Sequence, residues 1–277
     1  MADKSVTDMQ EVGSSELRIA RGTIEARRAQ NLRRVPVFQT SLCRIRQGEK
    51  LLEWGERHMR AGSSELVLMP AGQELGVANL PGSQGYLAEM VSFSPALIAR
   101  FRSRHGGLID GQLRQAATAS LCVPLDSHAA LAWDQLMASL ANGAPPALQA
   151  HQAEGLLLVL ALKGHCGPLL MDRRDPLAAR VQQVLLLDPA ADWSVPRVAA
   201  QLKLGASTLR RQLALENRHF RDILDDVRLG MALQELQAGI SPIGDIAAAC
   251  GYASASRFAA RFRLRYGLSP RELRATV

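Results

Sequence analysis

The sequence predicts an α+β protein, with a small β-sandwich and flanking helices first and an all-α domain after them. Between Val35 and Phe93, short apolar runs alternate with turn residues, the pattern of strands in a sandwich or barrel. Between Ser194 and Tyr266, a helix-turn-helix pattern occurs twice, joined by a further helical stretch. The length agrees: 277 residues exceed one typical domain of roughly 100–200.

Residues 1–30 are polar, mixed in charge and without an apolar period, and read as a loose tail. Val35 to Ile45, Glu65 to Met69 and Tyr86 to Phe93 are the clearest strands. Gln47-Gly48, Pro70-Ala71-Gly72 and Pro81-Gly82-Ser83 separate such runs and supply the positive or fixed φ values that turns need. Helices follow. Ser94 caps and Pro95 opens one that should end near Gly106, Asp126 caps a second through Leu140, and Pro146 opens a third through Leu162. Leu131, Leu136, Leu140, Leu148, Leu156, Leu160 and Leu162 give the last two either a cover for the sheet or a homodimer face. Gly167, Pro168 and the charge cluster Asp172 to Asp175 place a boundary between a domain of residues 31–170 and one of residues 171–277.

In the first copy of the repeat, Ser194 can cap a helix with Val195, Val198, Ala199 and Leu202 on one face. In the second, Ser241 caps and Pro242 opens a helix with Ile243, Ile246, Ala247 and Cys250 at the same spacing. Lys203-Leu204-Gly205 and Gly251-Tyr252-Ala253 form the turns, and a second helix starts at Ala206 and, after Ser254, at Ala255. Leu209 and Leu213, and likewise Phe258 and Phe262, point inward. That leaves Ser207, Arg210 and Arg211 on one outer face, and Ser256, Ala259, Ala260 and Arg263 on the other. Such a face enters a major groove, where arginine can grip guanine with two hydrogen bonds. Arg257, Arg261 and Arg265 recur every fourth residue, and from Arg257 to Arg274 six arginines are opposed only by Glu272, which suits phosphate contact. Phe220 to Leu236 reads as a linker helix between the units, able to set the two outer faces about 34 Å apart, one DNA turn.

A net charge of +7 favours a polyanionic partner. The longest apolar run, Leu156 to Leu162, is too short for a membrane span of roughly 20 residues, and no apolar signal core opens the chain, so the cytoplasm is expected. Cys43, Cys122, Cys166 and Cys250 lie far apart and read as reduced thiols. Only His58 falls within the strand region, Cys43 has no histidine near it in sequence, and no nucleophile elbow or phosphate-cradling loop occurs. No catalytic residue, metal or cofactor is expected. Trp54, Trp133 and Trp193 read as core.

Trp193 to Arg274 resembles the DNA-binding domain of the AraC/XylS family of transcription regulators, through STLRRQL, IGDIAAACGYASASRFAARFR and YGLSPRELR. The resemblance implies two recognition helices in successive major grooves near promoters. By position, it puts base reading on Ser207, Arg210 and Arg211, and on Ala255, Ser256, Ala259 and Ala260. Arg257, Arg261, Arg263 and Arg265 are left for phosphates. The family usually has a polar residue where this chain has Ala260, so the first unit should carry most of the specificity; Gly205 stands where a serine cap is common. More distantly, ELVLMPAGQELGVAN and GYLAEMVSFSP are similar to the cupin-like regulatory domain of the same family. That likeness implies a small effector or a regulatory protein as partner, with RNA polymerase as the target of an activator. Within the DNA-binding segment, LRRQL, CGY, SRF, FR and YG are similar to the branch of regulators that control virulence, adhesin or acid-response genes, which implies virulence or stress-response control. The alternatives are a cupin enzyme carrying a DNA-binding module and a nucleoid architectural protein of low specificity.

Overall fold

The computed structural model of the protein describes residues 17–116, 118–170, 177–238 and 241–277. Its strands are β1 Ile19–Ala26, β2 Gln30–Pro36, β3 Ser41–Gln47, β4 Glu49–Trp54, β5 Arg57–Ala61, β6 Glu65–Met69, β7 Glu74–Leu80, β8 Tyr86–Phe93 and β9 Cys122–Pro124. They form two antiparallel sheets, β1-β8-β3-β6-β9 and β2-β7-β4-β5. Inward positions alternate along β7 and β4, as period-two geometry requires: Leu75, Val77 and Asn79 in the first, Lys50 and Leu52 in the second. The sandwich core runs through Leu42, Ile45, Leu66, Leu68, Val91 and Phe93, all fully buried.

Two strand predictions need correction. Ile19–Ala26, placed by the sequence in a loose tail, is β1, paired residue by residue with β8 from Ile19 opposite Phe93 to Ala26 opposite Tyr86. It is an edge strand held by backbone pairing, and only Ala26 among its residues is buried, so it lacks the apolar alternation that would mark it. The run Val35 to Ile45 is not one strand. β2 ends at Pro36, which has no N–H for the ladder, and the chain crosses to the other sheet before β3. In between, the Val37 N–H donates to Gln73 O (2.9 Å) and the Gly72 N–H to Val37 O (2.7 Å).

Helices α1 (Pro95–Gln115), α2 (Ser127–Ala141), α3 (Pro146–Leu162) and α4 (Gly167–Leu170) pack on the sandwich. Ser94 caps α1 as expected, its hydroxyl accepting from the Leu97 N–H. The predicted end near Gly106 is instead a kink at His105 (φ −121°, ψ 22°), beyond which the helix continues. Ile109 is buried on the far side and Leu113 packs on the core, so burial overrides the glycine pair. Leu136, Leu156 and Leu160 are buried and Leu140 packs against the core, so they cover the sandwich. Leu131, Leu148 and Leu162 stay exposed (60%, 45% and 67%). Trp133 is fully buried. The charge cluster Asp172 to Asp175 lies outside the described residues.

The rest is α5 (Leu177–Leu186), α6 (Val195–Gln201), α7 (Ala206–Leu215), α8 (Phe220–Ala238), α9 (Ile243–Ala249), α10 (Ala255–Tyr266) and α11 (Pro270–Arg274). Linker helix α8 serves two cores. Ile223 and Val227 join Val181, Trp193, Val198, Leu209 and Leu213; Leu229, Leu233 and Leu236 join Ile246, Phe258, Phe262, Tyr266 and Leu273. The sandwich enters both, with Leu32 of β2 in the second and Phe38 packed on the first. Gly230 of α8 makes this approach possible, since a Cβ there would lie 2.3 Å from Phe38 Cε2.

Candidate nucleic-acid interface

The first helix-turn-helix is built as its sequence suggests. The Ser194 hydroxyl accepts from the Arg197 N–H, and Val198 and Ala199 are buried. Trp193 is buried as well, its Nε1–H donating to Asp188 O (2.7 Å), and the Arg197 guanidinium lies 4.4 Å from its ring centre. In the turn, Lys203 takes the left-handed conformation (φ +55°), whereas Gly205 is an extended N-cap with no side-chain hydrogen bond. Leu209 and Leu213 anchor α7 inward, which leaves Ser207, Arg210 and Arg211 exposed. At the far end, the Glu216 carboxylate accepts from the N–H groups of Leu177 (2.6 Å) and Ala178 (2.9 Å), caps α5 and fixes the rear of the recognition helix.

In the second unit, α9 starts one residue later than predicted. Pro242 is its N-cap, and Ser241 instead accepts on its carbonyl from Arg274 Nη2 (2.9 Å). The turn glycine Gly251 is left-handed (φ +80°), and a Cβ on it would meet the Arg228 guanidinium at 2.8 Å. Arg228 comes from the linker helix and also donates from Nε to Pro189 O (2.9 Å) and from Nη2 to Ala191 O (3.0 Å), in the loop before the first unit. One side chain thus touches both units. Ser254 caps α10 through the Arg257 N–H, and Phe258, Phe262 and Tyr266 are buried with their rings packed in tilted and edge-on contacts. Ala255, Ser256 and Ala260 are exposed and Ala259 is half-buried. The helix stops at left-handed Gly267, and a Ser269–Glu272 capping box opens α11. Hydrogen bonds from the Ser269 backbone and hydroxyl hold the Glu272 carboxyl below its usual range.

The structure divides the arginines of α10. Arg257 is exposed and takes part in none of the ion pairs given by the described residues. Arg263 is 61% exposed beside Glu272 (3.5 Å), and Arg261 pairs with Asp225 (2.8 Å). Arg265, expected at a phosphate, faces the other way. Its side chain is only 9% exposed, with Nη2 2.8 Å from Glu74 of β7 and Nη1 3.2 Å from Asp226 of α8. Arg34 Nε also donates to Glu74 (3.0 Å), and Arg218 Nη2 to Asp226 (2.8 Å). Burial raises the pKa of both acids, but the two arginines overcome it at Glu74, which ends below its usual range. At Asp226 burial wins, and its pKa stays raised. Sequence reasoning missed Glu74, Asp225, Asp226 and Arg228. The acidic pair of α8 is visible in the chain, but nothing in the sequence joins Glu74 to an arginine 191 residues away.

Among the described residues, no three His, Cys, Asp or Glu side chains are grouped to hold a metal ion, and no helix is long and apolar enough to cross a membrane. Burial pushes the thiols of Cys122 and Cys166 up to about 11 and about 12, so both are protonated near neutral pH.

Residues 198–276 match the family of helix-turn-helix domains. GadX of Escherichia coli K12, described as an HTH-type transcriptional regulator, is 33% identical over 118 residues, 42% of this chain and 43% of its own. The urease operon transcriptional activator of Escherichia coli is 33% identical over 100 residues (36% and 34%), and the transcriptional regulator SirC of Salmonella typhimurium 32% over 98 (35% and 33%). The carboxyl-terminal part of this chain is thus a helix-turn-helix domain similar to those of these transcriptional regulators. The matched stretch spans 43% or less of the length of these curated relatives. The whole fold has a counterpart in ToxT of Vibrio cholerae. Its crystal structure bound to (E)-4-(8-methylnaphthalen-1-yl)but-3-enoic acid covers 93% of this chain and 98% of ToxT, with a TM-score of 0.64 at 16% identity. Its unsaturated fatty acid bound form gives 0.64 at 12% identity, over 94% and 95%.

Proposed function

We propose that this protein is a sequence-specific DNA-binding transcription regulator of activator type. The observation that carries this reading is the outer face of α7. Ser207, Arg210 and Arg211 are exposed on a helix anchored at both ends, so the backbone that presents these base-reading groups needs no ordering at the moment of binding. In α10, Ala255, Ser256 and Ala259 offer little hydrogen bonding to base edges, and Arg257, Arg261 and Arg263 lie toward solvent. This helix therefore grips phosphates and follows DNA shape. Genome-wide mapping of bound sites, followed by competition against random DNA at fixed salt, tests the reading. A specificity ratio of at least about 1,000 is expected, and a ratio near one would instead indicate an architectural protein.

The sandwich supplies the control. A cavity of about 310 Å³ lies between the sheets, is closed by α8 and is lined largely by apolar groups such as Ile24, Val37, Met69 and Met231. Lys50 is its one charged lining residue among those described. ToxT binds carboxylic acids in two of the structures above, and by analogy a small amphiphile with a carboxylate would suit this cavity with Lys50 as counter-ion. Oleate should raise the melting temperature of the wild-type protein and leave Lys50→Met unmoved; an equal rise in both would dismiss the site.

A further inference from the structure

Three inward-facing positions of the four-stranded sheet break the apolar pattern. Gln30 and Asn79 are fully buried and Lys50 is 2% exposed. They are register partners, Gln30 opposite Asn79 across β2 and β7, and Asn79 opposite Lys50 across β7 and β4. A buried polar group without a partner costs about 1–3 kcal/mol, so three in a row on a core face ask for a physical reason. Their hydrogen bonds supply one. Lys50 Nζ donates to Asn79 Oδ1; Asn79 Nδ2 donates to Gln30 Oε1 (2.8 Å); Gln30 Nε2 donates to Thr276 Oγ1 (2.9 Å). The Thr276 hydroxyl then donates to the carbonyl of Leu273, the last buried residue of α11. The Thr276 carbonyl accepts from the N–H groups of Arg27 (2.6 Å) and Arg28 (3.2 Å), which closes the contact.

Every bond in this row runs in the same direction, and its first member fixes that direction. An ammonium can only donate, so Asn79 must turn its oxygen to Lys50 and its NH2 to Gln30, and Gln30 must do the same toward Thr276. Lys50 and Asn79 line the cavity between the sheets, while Thr276 and Leu273 belong to the second helix-turn-helix unit. The geometry points to a buried polar relay, Lys50–Asn79–Gln30–Thr276, through which the state of the cavity sets how firmly the end of the second DNA-binding unit is held to the sandwich. A group in the cavity that draws the Lys50 ammonium off Asn79 Oδ1 removes the donor that orients Asn79, both amides lose their fixed sense, and the hold on Thr276 loosens. The relay rests on the cavity reading above only for its trigger. Its wiring is a property of the chain's own side chains.

Hydrogen exchange on the full chain without added ligand tests that wiring apart from DNA binding or any effector. Lys50→Met should speed exchange in the peptide spanning residues 268–277 by about tenfold or more, although Lys50 touches none of them. Thr276→Val should do the same, and the double variant should add little, because both cut one chain of bonds. Met90→Leu, which alters the same cavity off the relay, should leave that peptide at the wild-type rate. Wild-type exchange there in Lys50→Met, additive effects in the double variant, or an equal effect from Met90→Leu would each overturn the relay. If Lys50→Met does not fold, Thr276→Val still decides from the opposite end of the relay. The side-chain amide resonances of both Gln30 and Asn79 should shift, and a change confined to Gln30 would refute the coupling.

Discussion

The two helix-turn-helix units share a plan but differ in what holds their recognition helices. α7 ends on Glu216, which caps a neighbouring helix of the same core, and its Arg210 and Arg211 stand clear in solvent. α10 is tied to other parts of the molecule: Arg261 to the linker helix, Arg263 to α11, and Arg265 to both the linker and the sandwich. A basic helix can therefore be mostly engaged in protein contacts. Counting arginines overstates its grip on DNA, and the helix with fewer of them is the more available.

The largest effect expected from this contrast is on specificity. Arg210→Ala or Arg211→Ala should each cost about 1–3 kcal/mol of preference for the bound site over random DNA, up to roughly 100-fold. Ser256→Ala should change the ratio less than about threefold, and equal losses in a competition assay would erase the distinction. Next comes the turn. Gly251→Ala forces a left-handed alanine against Arg228, with a cost of about 1–2 kcal/mol from backbone alone, whereas Lys203→Gly at the matching point of the first unit should change stability by less than about 1 kcal/mol. Urea denaturation of the two variants measures both.

A smaller effect concerns Arg265. Glu74→Gln leaves it with Asp226 alone and freer to turn to a phosphate. The slope of log affinity against log salt should steepen by up to about one, with the specificity ratio unchanged. A slope equal to wild type would mean Arg265 stays inward without Glu74. The smallest effect is in pH. The Glu74 pKa is depressed in the folded state, so its contribution is complete above the ordinary value of 4.5 and is lost as pH falls below that through the folded value. The stability gap between wild type and Glu74→Gln should stay constant from pH 7 to 5 and shrink below about 4.5. Asp226, raised above its ordinary 3.8 by burial, pulls the opposite way: its penalty is relieved as pH falls through the folded value toward 3.8.

What the sequence made legible was local. Caps at Ser94, Asp126, Ser194 and Ser254 place helix starts because a side-chain oxygen and the orphan N–H it satisfies lie within three residues. Strands β6 and β8 are apolar enough to declare themselves, and both appear with the predicted ends. β1 was hidden because an edge strand needs a partner more than a pattern. The inward turn of Arg265 was hidden for a related reason. Its spacing from Arg257 and Arg261 puts it in the same row, but the side-chain direction is decided by two acids, one of them on strand β7 of the sandwich. Helix α1 shows the same limit, since Gly106 and Gly107 signal an end that burial of Ile109 countermands.

Arg228 carries a further consequence. Its guanidinium holds the carbonyls leading into the first unit while it sits beneath the turn of the second, so it acts as a gauge block between the two DNA-reading elements. A regulator with that block intact should be intolerant of one base pair added or removed between its half-sites. A shorter residue there would leave each half-site recognised as before but relax the demand on the distance separating them.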